Sequence, residues 1–104
     1  MKKIKFADDL VSPIINEKRT VTVRVDSNIS INDTLVAITQ NYEKFAILES
    51  TIIIKAPVSD SQRIIKLFDG NYPDTNMVEY LNEYYDDISK NTIVDIIFFE
   101  CIDH

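Results

Sequence analysis

The stretch KRTVTVRV, residues 18–25, decides how this sequence is interpreted. From residue 19 to residue 25 apolar and polar side chains alternate, which predicts a strand with one face buried and the other exposed. The exposed face would carry Thr20, Thr22 and Arg24. Basic residues are concentrated at this strand, although the net charge of the chain is −6: Lys18, Arg19 and Arg24.

The order of elements predicted along the chain is a strand, a helix, three strands, two helices and a last strand. Further strands are predicted at 2–6, 34–39, 45–55 and 92–102, and helices at 8–17, from 59 to the break at Gly70, and at 76–88. Ser59 and Gln62 form the pattern of a capping box at the start of the second helix. The last strand, apolar on both faces, is expected to be covered on both sides.

These elements predict the fold class. Consecutive strands are joined by short turns without crossover helices, so we expect an α+β protein. Its sheet would be a small antiparallel sheet or barrel of about five strands, flanked by two or three helices. A chain of 104 residues is too short for two cores, so residues 1–104 are expected to form a single domain.

The charge distribution limits the ligands. A net charge of −6 argues against a general polyanion binder, because phosphate binding relies on basic side chains. However, residues 1–24 hold six basic and three acidic residues, a local charge of +3, while the remainder carries −9. Such a patch could hold one nucleotide or a short strand. Alternatively, the lysines of the first five residues simply form a solvated terminus.

Membrane, metal and cofactor chemistry are not indicated. No run of about 18 apolar residues could span a bilayer. Asp8 and Asp9 interrupt the start of the chain before a signal peptide's apolar region could form, so we expect a cytoplasmic protein. We also expect a monomer. Cys101 and His104 alone cannot form a tetrahedral zinc site, and Gly70 is the one glycine, so a glycine-rich phosphate loop is excluded. We expect neither a metal nor a cofactor.

The basic strand and its neighbours resemble the ASCH family, whose members have a PUA-like fold. The resemblance begins with an aromatic residue, an acidic helix ending in paired aliphatics, and a basic pair: Phe6, Asp8-Asp9, Ile14-Ile15 and Lys18-Arg19. It continues through TVTVR (20–24), INDTLV (31–36), NMVEYLNEYY (76–85) and IVDIIFFECI (93–102). It implies a small barrel with a cleft beside the Thr20–Arg24 strand that binds RNA or a modified nucleoside. The candidate binding residues are Lys18, Arg19, Thr20, Thr22 and Arg24.

The same resemblance implies one possible reaction. Small bacterial amidohydrolases of this family remove the acetyl group from acetylated cytidine with a Lys, a Thr and a Glu. Thr22 matches the threonine, Arg19 stands at the lysine position, and the glutamate position falls near Asp74 or Thr75; Thr22, Arg19 and Asp74 are thus the candidate catalytic residues. Arginine stays protonated and cannot accept the proton of the threonine, which argues against the reaction. Moreover, Arg19 can share a site with Thr22 only from the turn before the strand, because residues three apart point to opposite faces.

Plain structural roles remain open for these residues. Thr20 and Thr22 are good strand formers, and Arg24 could pair with a carboxylate such as Glu49 or Asp26. Four aromatic side chains could stack on a base or pack at the rim of the core: Tyr42, Phe45, Tyr72 and Tyr80.

A third class of function is a protein-interaction domain. The helix predicted near 77–88 carries an acidic face: Glu79, Glu83, Asp86 and Asp87. This face would attract a basic protein partner, with more effect on association rate than on affinity. Alternatively, it is a solvated helix surface.

Overall fold

The computed structural model describes residues 1–104 as a five-stranded sheet with three short helices. The strands are β1 (Lys2–Lys5), β2 (Val21–Arg24), β3 (Thr34–Ile38), β4 (Lys44–Pro57) and β5 (Ile93–Asp103). The helices are α1 (Val11–Ile15), which follows a single 3-10 turn at Asp8–Leu10, then α2 (Val58–Leu67) and α3 (Met77–Asn82). This confirms the predicted α+β class. No helix combines the length and the apolar composition that crossing a membrane requires.

The strand order places β1 and β2 at the two open edges of the sheet. The order is β1-β3-β4-β5-β2. Three of the four strand pairings are antiparallel, as expected, whereas β1 runs parallel to β3. This parallel pairing is possible because the connection from β1 to β3 is long and passes through α1 and β2. The sheet curls into a half-barrel of the PUA-like type, so its two edges approach each other.

Two clusters of buried apolar side chains form the core. The first packs α2 and α3 against the sheet and includes Val21, Val23, Ile65, Leu81 and Ile96. The second lies around β1 and α1 and includes Ile4, Phe6, Ile14, Leu35 and Phe99. Residues 94–99 of β5 are all buried, which confirms that this strand is covered on both faces.

β2 is more deeply buried than its alternation predicts. Thr22 is only 6% exposed and its neighbours Val21 and Val23 are also buried, so the half-buried strand of the sequence analysis is corrected to one covered on both faces. The second covering layer comes from the opposite edge of the sheet, whose Lys5 and Phe6 lie across from β2. Alternation within one strand carries no information about this distant segment.

The helices also differ from their predicted bounds. α2 begins at Val58, two residues earlier than a capping box with Ser59 as its N-cap implies, and no side chain caps it, so the predicted box does not form. α3 ends at Asn82 rather than near residue 88. The Asn82 side-chain amide donates to the carbonyl oxygens of Val78 and Ile88, at 3.0 and 3.1 Å, and its oxygen accepts from the Ile88 N–H at 3.0 Å. These bonds replace the next helical turn with a reversal of the chain.

Candidate functional site

A pocket of about 180 Å³ occupies the gap between the two open edges of the sheet. The end of β1 supplies Lys5 and Phe6, and β2 supplies Thr22, Val23 and Arg24. The chain before β2 and the segment around α3 close the remaining sides. The pocket therefore lies beside the strand at which the sequence predicted a cleft.

Arg24 connects the two edges in place of a backbone ladder. Its Nη2 donates to the Lys5 carbonyl oxygen at 2.8 Å, and its Nε donates to the Thr22 hydroxyl at 3.2 Å. The guanidinium carbon lies 5.1 Å from the centre of the Phe6 ring. Neither Glu49 nor Asp26 forms the ion pair considered above. Burial lowers the pKa of Arg24, yet a guanidinium remains charged at neutral pH.

Arg19 reaches the pocket from the turn that precedes β2. The Pro13 carbonyl oxygen accepts from the N–H groups of both Lys18 and Arg19, at 2.8 and 3.0 Å, and Glu17 has a φ of 58° that reverses the chain. The Arg19 Nε then donates to the Val21 carbonyl oxygen at 3.1 Å. Because Arg19 lies outside the strand, it and Thr22 both line the pocket despite being three residues apart.

Tyr72 packs against the guanidinium of Arg19. The Arg19 guanidinium carbon lies 4.1 Å from the centre of the Tyr72 ring, a distance typical of a cation–π contact. Burial raises the pKa of Tyr72 to about 12, so its hydroxyl stays neutral. That hydroxyl donates to the Met77 sulfur at 3.8 Å. Tyr72 therefore holds Arg19 in place without neutralising its charge.

The pocket is strongly cationic. Lys5, Arg19 and Arg24 line it, and none of its lining residues is an aspartate or glutamate. None of these three cations takes part in an ion pair, whereas four pairs form elsewhere on the molecule. Concentrating cations in a partly desolvated site without a counter-charge is unfavourable unless an anion binds there.

Tyrosine side chains form the wall that faces these cations. Tyr80, Tyr84 and Tyr85 line the pocket, and the rings of Tyr80 and Tyr84 lie 5.3 Å apart between centres. A helix that continued to residue 88 would place Tyr84 and Tyr85 on its apolar face, toward the core. Because α3 ends at Asn82, Tyr84 is instead exposed at the pocket, whereas Tyr85 both lines the pocket and packs against the first core cluster. Lys5 and Phe6 were likewise not predicted as site residues, since their contribution depends on the approach of two edges far apart in sequence.

The structure separates the predicted site residues into two groups. Arg19, Thr22 and Arg24 come together in the pocket, whereas Lys18, Thr20 and Asp74 do not line it. Lys18 is exposed, and Asp74 is exposed with its Oδ1 3.2 Å from the Lys66 Nζ. The hydroxyl of Thr20 accepts from the Asn71 N–H at 3.0 Å, so Thr20 fastens the loop after α2 to the chain before β2. The three candidate catalytic residues are thus not assembled around one point.

The donor set for a metal ion is sparse. No group of three or more His, Cys, Asp or Glu side chains is placed to hold a cation. Cys101 is a half-buried free thiol, and burial raises its pKa, which disfavours the thiolate that metals bind. The chemistry of the pocket is therefore that of cationic donors, hydroxyl groups and aromatic rings.

The fold and this pocket define a small PUA-like half-barrel. Its cleft lies in the gap between the edge strands β1 and β2, which we call the seam. Comparison with known proteins identifies solved structures that share this fold. No protein-family model and no curated protein sequence matches the chain. Among solved structures, an ASCH domain from Lactobacillus crispatus is similar over 99% of this chain and 81% of its own, with a TM-score of 0.65 and 10% identity.

Two further solved structures are similar. A DUF984 protein from Enterococcus faecalis matches 99% of this chain and 77% of its own, with a TM-score of 0.73 and 13% identity. A variant ASCH protein from Zymomonas mobilis matches 98% of this chain and 71% of its own, with a TM-score of 0.68 and 8% identity. These similarities establish that the chain has an ASCH-like fold, as the resemblance in the sequence implied.

Proposed function

We propose that the seam pocket, the cavity lined by Lys5, Arg19 and Arg24, binds one nucleotide or modified nucleoside of an RNA ligand. The observation that carries this proposal is the set of three cations without a carboxylate, opposite a wall of tyrosines, in a protein of net charge −6. Cations suit a phosphate and aromatic rings suit a base, for which stacking contributes about 1–3 kcal/mol. A volume of 180 Å³ is below the roughly 300 Å³ of pockets for drug-sized ligands, so it suits one base.

The backbone of β2 adds groups that could read the edge of a base. The Phe99 N–H donates to the Thr20 carbonyl oxygen, so residues 20, 22 and 24 are the hydrogen-bonded positions of the pairing with β5. The N–H and C=O of Val23 therefore point away from β5 and into the gap. The Thr22 hydroxyl, which accepts from Arg24, keeps its own proton to donate. Together these groups can form directional hydrogen bonds to a base.

A nuclear magnetic resonance titration tests the proposal. Labelled protein is titrated at low salt with cytidine, cytidine monophosphate, acetylated cytidine and a short single-stranded RNA. We expect shifts clustered at residues 19–24, 80 and 85, and weaker binding as salt is raised. Arg24→Met should abolish the shifts. Arg63→Met removes the same charge from the exposed face of α2 and is the matched control. Absence of binding at low salt, or an equal loss in both variants, would contradict the proposal.

Hydrolysis of acetylated cytidine is less well supported than binding. Thr22 lines the pocket, but Arg19 cannot act as a base and Asp74 lies outside. Analysis of the same samples for deacetylated cytidine decides the matter. Product that disappears in Thr22→Ala would replace the binding proposal with the amidohydrolase.

The acidic face predicted near residues 77–88 stays a separate prediction. Glu79, Glu83, Asp86 and Asp87 are all exposed. A basic protein partner that copurifies with the wild type, and is lost on charge reversal of this face, would support a protein-interaction role.

A further inference from the structure

Tyr42 is a large aromatic residue that the fold leaves outside its core. It lies in the tip of the β3–β4 hairpin, the residue is 71% exposed, and it belongs to neither core cluster. Its φ is 64°, a left-handed backbone conformation that is uncommon for a bulky residue. Six other non-glycine residues also have a positive φ, since the chain has a single glycine for its turns.

The hairpin tip is held in a defined shape by Thr39. The Thr39 carbonyl oxygen accepts from the Tyr42 N–H at 3.0 Å, and the Thr39 hydroxyl accepts from the N–H groups of Asn41 and Glu43, at 3.3 and 3.2 Å. These bonds hold the backbone from which the Tyr42 side chain projects.

The same tip is fastened to the rim of the seam pocket. The Gln40 side-chain amide donates to the Phe6 carbonyl oxygen, and the Gln40 N–H donates to the Asp8 carboxylate, both at 3.1 Å. Phe6 and Gln40 themselves line the pocket. Tyr42 therefore follows, by two residues, a residue that is hydrogen-bonded to the rim of the pocket.

Lys5 lies between the Tyr42 ring and the pocket. Its Nζ is 4.0 Å from the centre of the ring, and its side chain also lines the pocket. Lys5 has no carboxylate partner, so its charge is available to an anion. The exposure of Tyr42 leaves surface of the residue accessible to a ligand. In order across the surface, the site presents a pocket for one base, a cation, and an exposed aromatic residue.

We infer that Tyr42 is a stacking platform for a second base, and that the ligand is a single-stranded nucleic acid of at least two nucleotides whose linking phosphate binds Lys5. This inference rests on the proposed function of the seam pocket. It distinguishes a strand from a free nucleoside, because a nucleoside would leave Tyr42 unused. Stacking on one aromatic side chain corresponds to about a 5- to 150-fold gain in affinity.

The test compares three ligands that share the first nucleotide. They are a nucleoside 3′-monophosphate, the dinucleotide that extends it, and the same dinucleotide without its second base, measured for each of the four bases by calorimetry or nuclear magnetic resonance. We expect the full dinucleotide to bind about 5- to 150-fold more tightly than the form that lacks the second base.

Variants at Tyr42 separate stacking from folding. Tyr42→Asn removes the ring but keeps a residue that tolerates the left-handed conformation, and should lower the affinity of the full dinucleotide to that of the form that lacks the second base. Tyr42→Phe should retain the gain. Equal affinities for the two dinucleotides in the wild type, or a gain that persists in Tyr42→Asn, would overturn the inference but not the proposed pocket. Failure of all three ligands to bind would overturn both.

Discussion

Replacing Arg24 with methionine should abolish binding at a small cost in stability. The two hydrogen bonds of the guanidinium, to the Lys5 carbonyl and the Thr22 hydroxyl, stabilise the fold by about 1.5–3 kcal/mol each. Against them stands the desolvation of a cation that has no anionic partner, which costs several kcal/mol. Methionine also retains apolar contact with Phe6. We therefore expect the free energy of unfolding to change by less than about 2 kcal/mol.

Urea unfolding of wild type, Arg24→Met and Arg63→Met gives the three stabilities, and titration with the dinucleotide gives the affinities. Arg24→Met should show no detectable binding, whereas Arg63→Met should match the wild type in both measurements. The reasoning would be refuted if Arg24→Met lowered the free energy of unfolding by more than about 4 kcal/mol while its folded fraction still bound with wild-type affinity. Arg24 would then serve to stabilise the fold and not to bind the ligand.

Three other substitutions test how the site is supported. Burial opposes ionisation of Asp95, but bonds from Lys55 and Ser27 outweigh it and lower its pKa below 3.8. Ionised Asp95 therefore stabilises the fold above about pH 4, and this stabilisation is lost as the pH falls through the lowered pKa of the folded state. Asp95→Asn should reduce the free energy of unfolding by about 1–3 kcal/mol at pH 7, measured by chemical unfolding. The difference between variant and wild type should shrink in acid. Gly70→Ala would place a Cβ 2.9 Å from the Ile65 Cγ2 and 3.1 Å from its carbonyl oxygen, and should cost about 1–3 kcal/mol in the same assay. Asn82→Ala removes the bonds that end α3 and should cost about 1–3 kcal/mol and also weaken dinucleotide binding, because Tyr84 and Tyr85 lose their positions. A stable Asn82→Ala variant with unchanged affinity would contradict the role given to that turn.

The sequence predicts the strands well because their side-chain pattern is local. Alternation in 19–25 and the apolar run of β5 both correspond to observed strands. The parallel pairing of β1 with β3 was not predicted, since a pattern within one strand does not identify its neighbour. The end of α3 was misplaced for a similar reason: the apolar stripe continues to Ile88, but the side chain of Asn82 bonds the backbone of that residue and overrides the periodicity.

The sequence predicts the site residues on and next to β2 but not those at the end of β1, because the latter reach the site only through the curvature of the sheet. Arg19, Thr22 and Arg24 lie on one short segment that the sequence marks by its charge and alternation. Lys5 and Phe6 join them only because the half-barrel brings its first and last strands in the sheet order together. No feature of the local sequence indicates that β1 and β2 come together.

The distribution of charge has a consequence for the length of ligand that this surface accepts. The chain after residue 24 is acidic: residues 25–104 carry a net charge of −9, and the exposed Glu79 and Glu83 are next in sequence to Tyr80 and Tyr84 of the tyrosine wall. A long duplex would bring many phosphates close to these carboxylates, whereas a ligand of one or two nucleotides meets only Lys5, Arg19 and Arg24. If the seam pocket binds nucleic acid as proposed, this distribution of charge favours a short or locally exposed single strand over a long duplex.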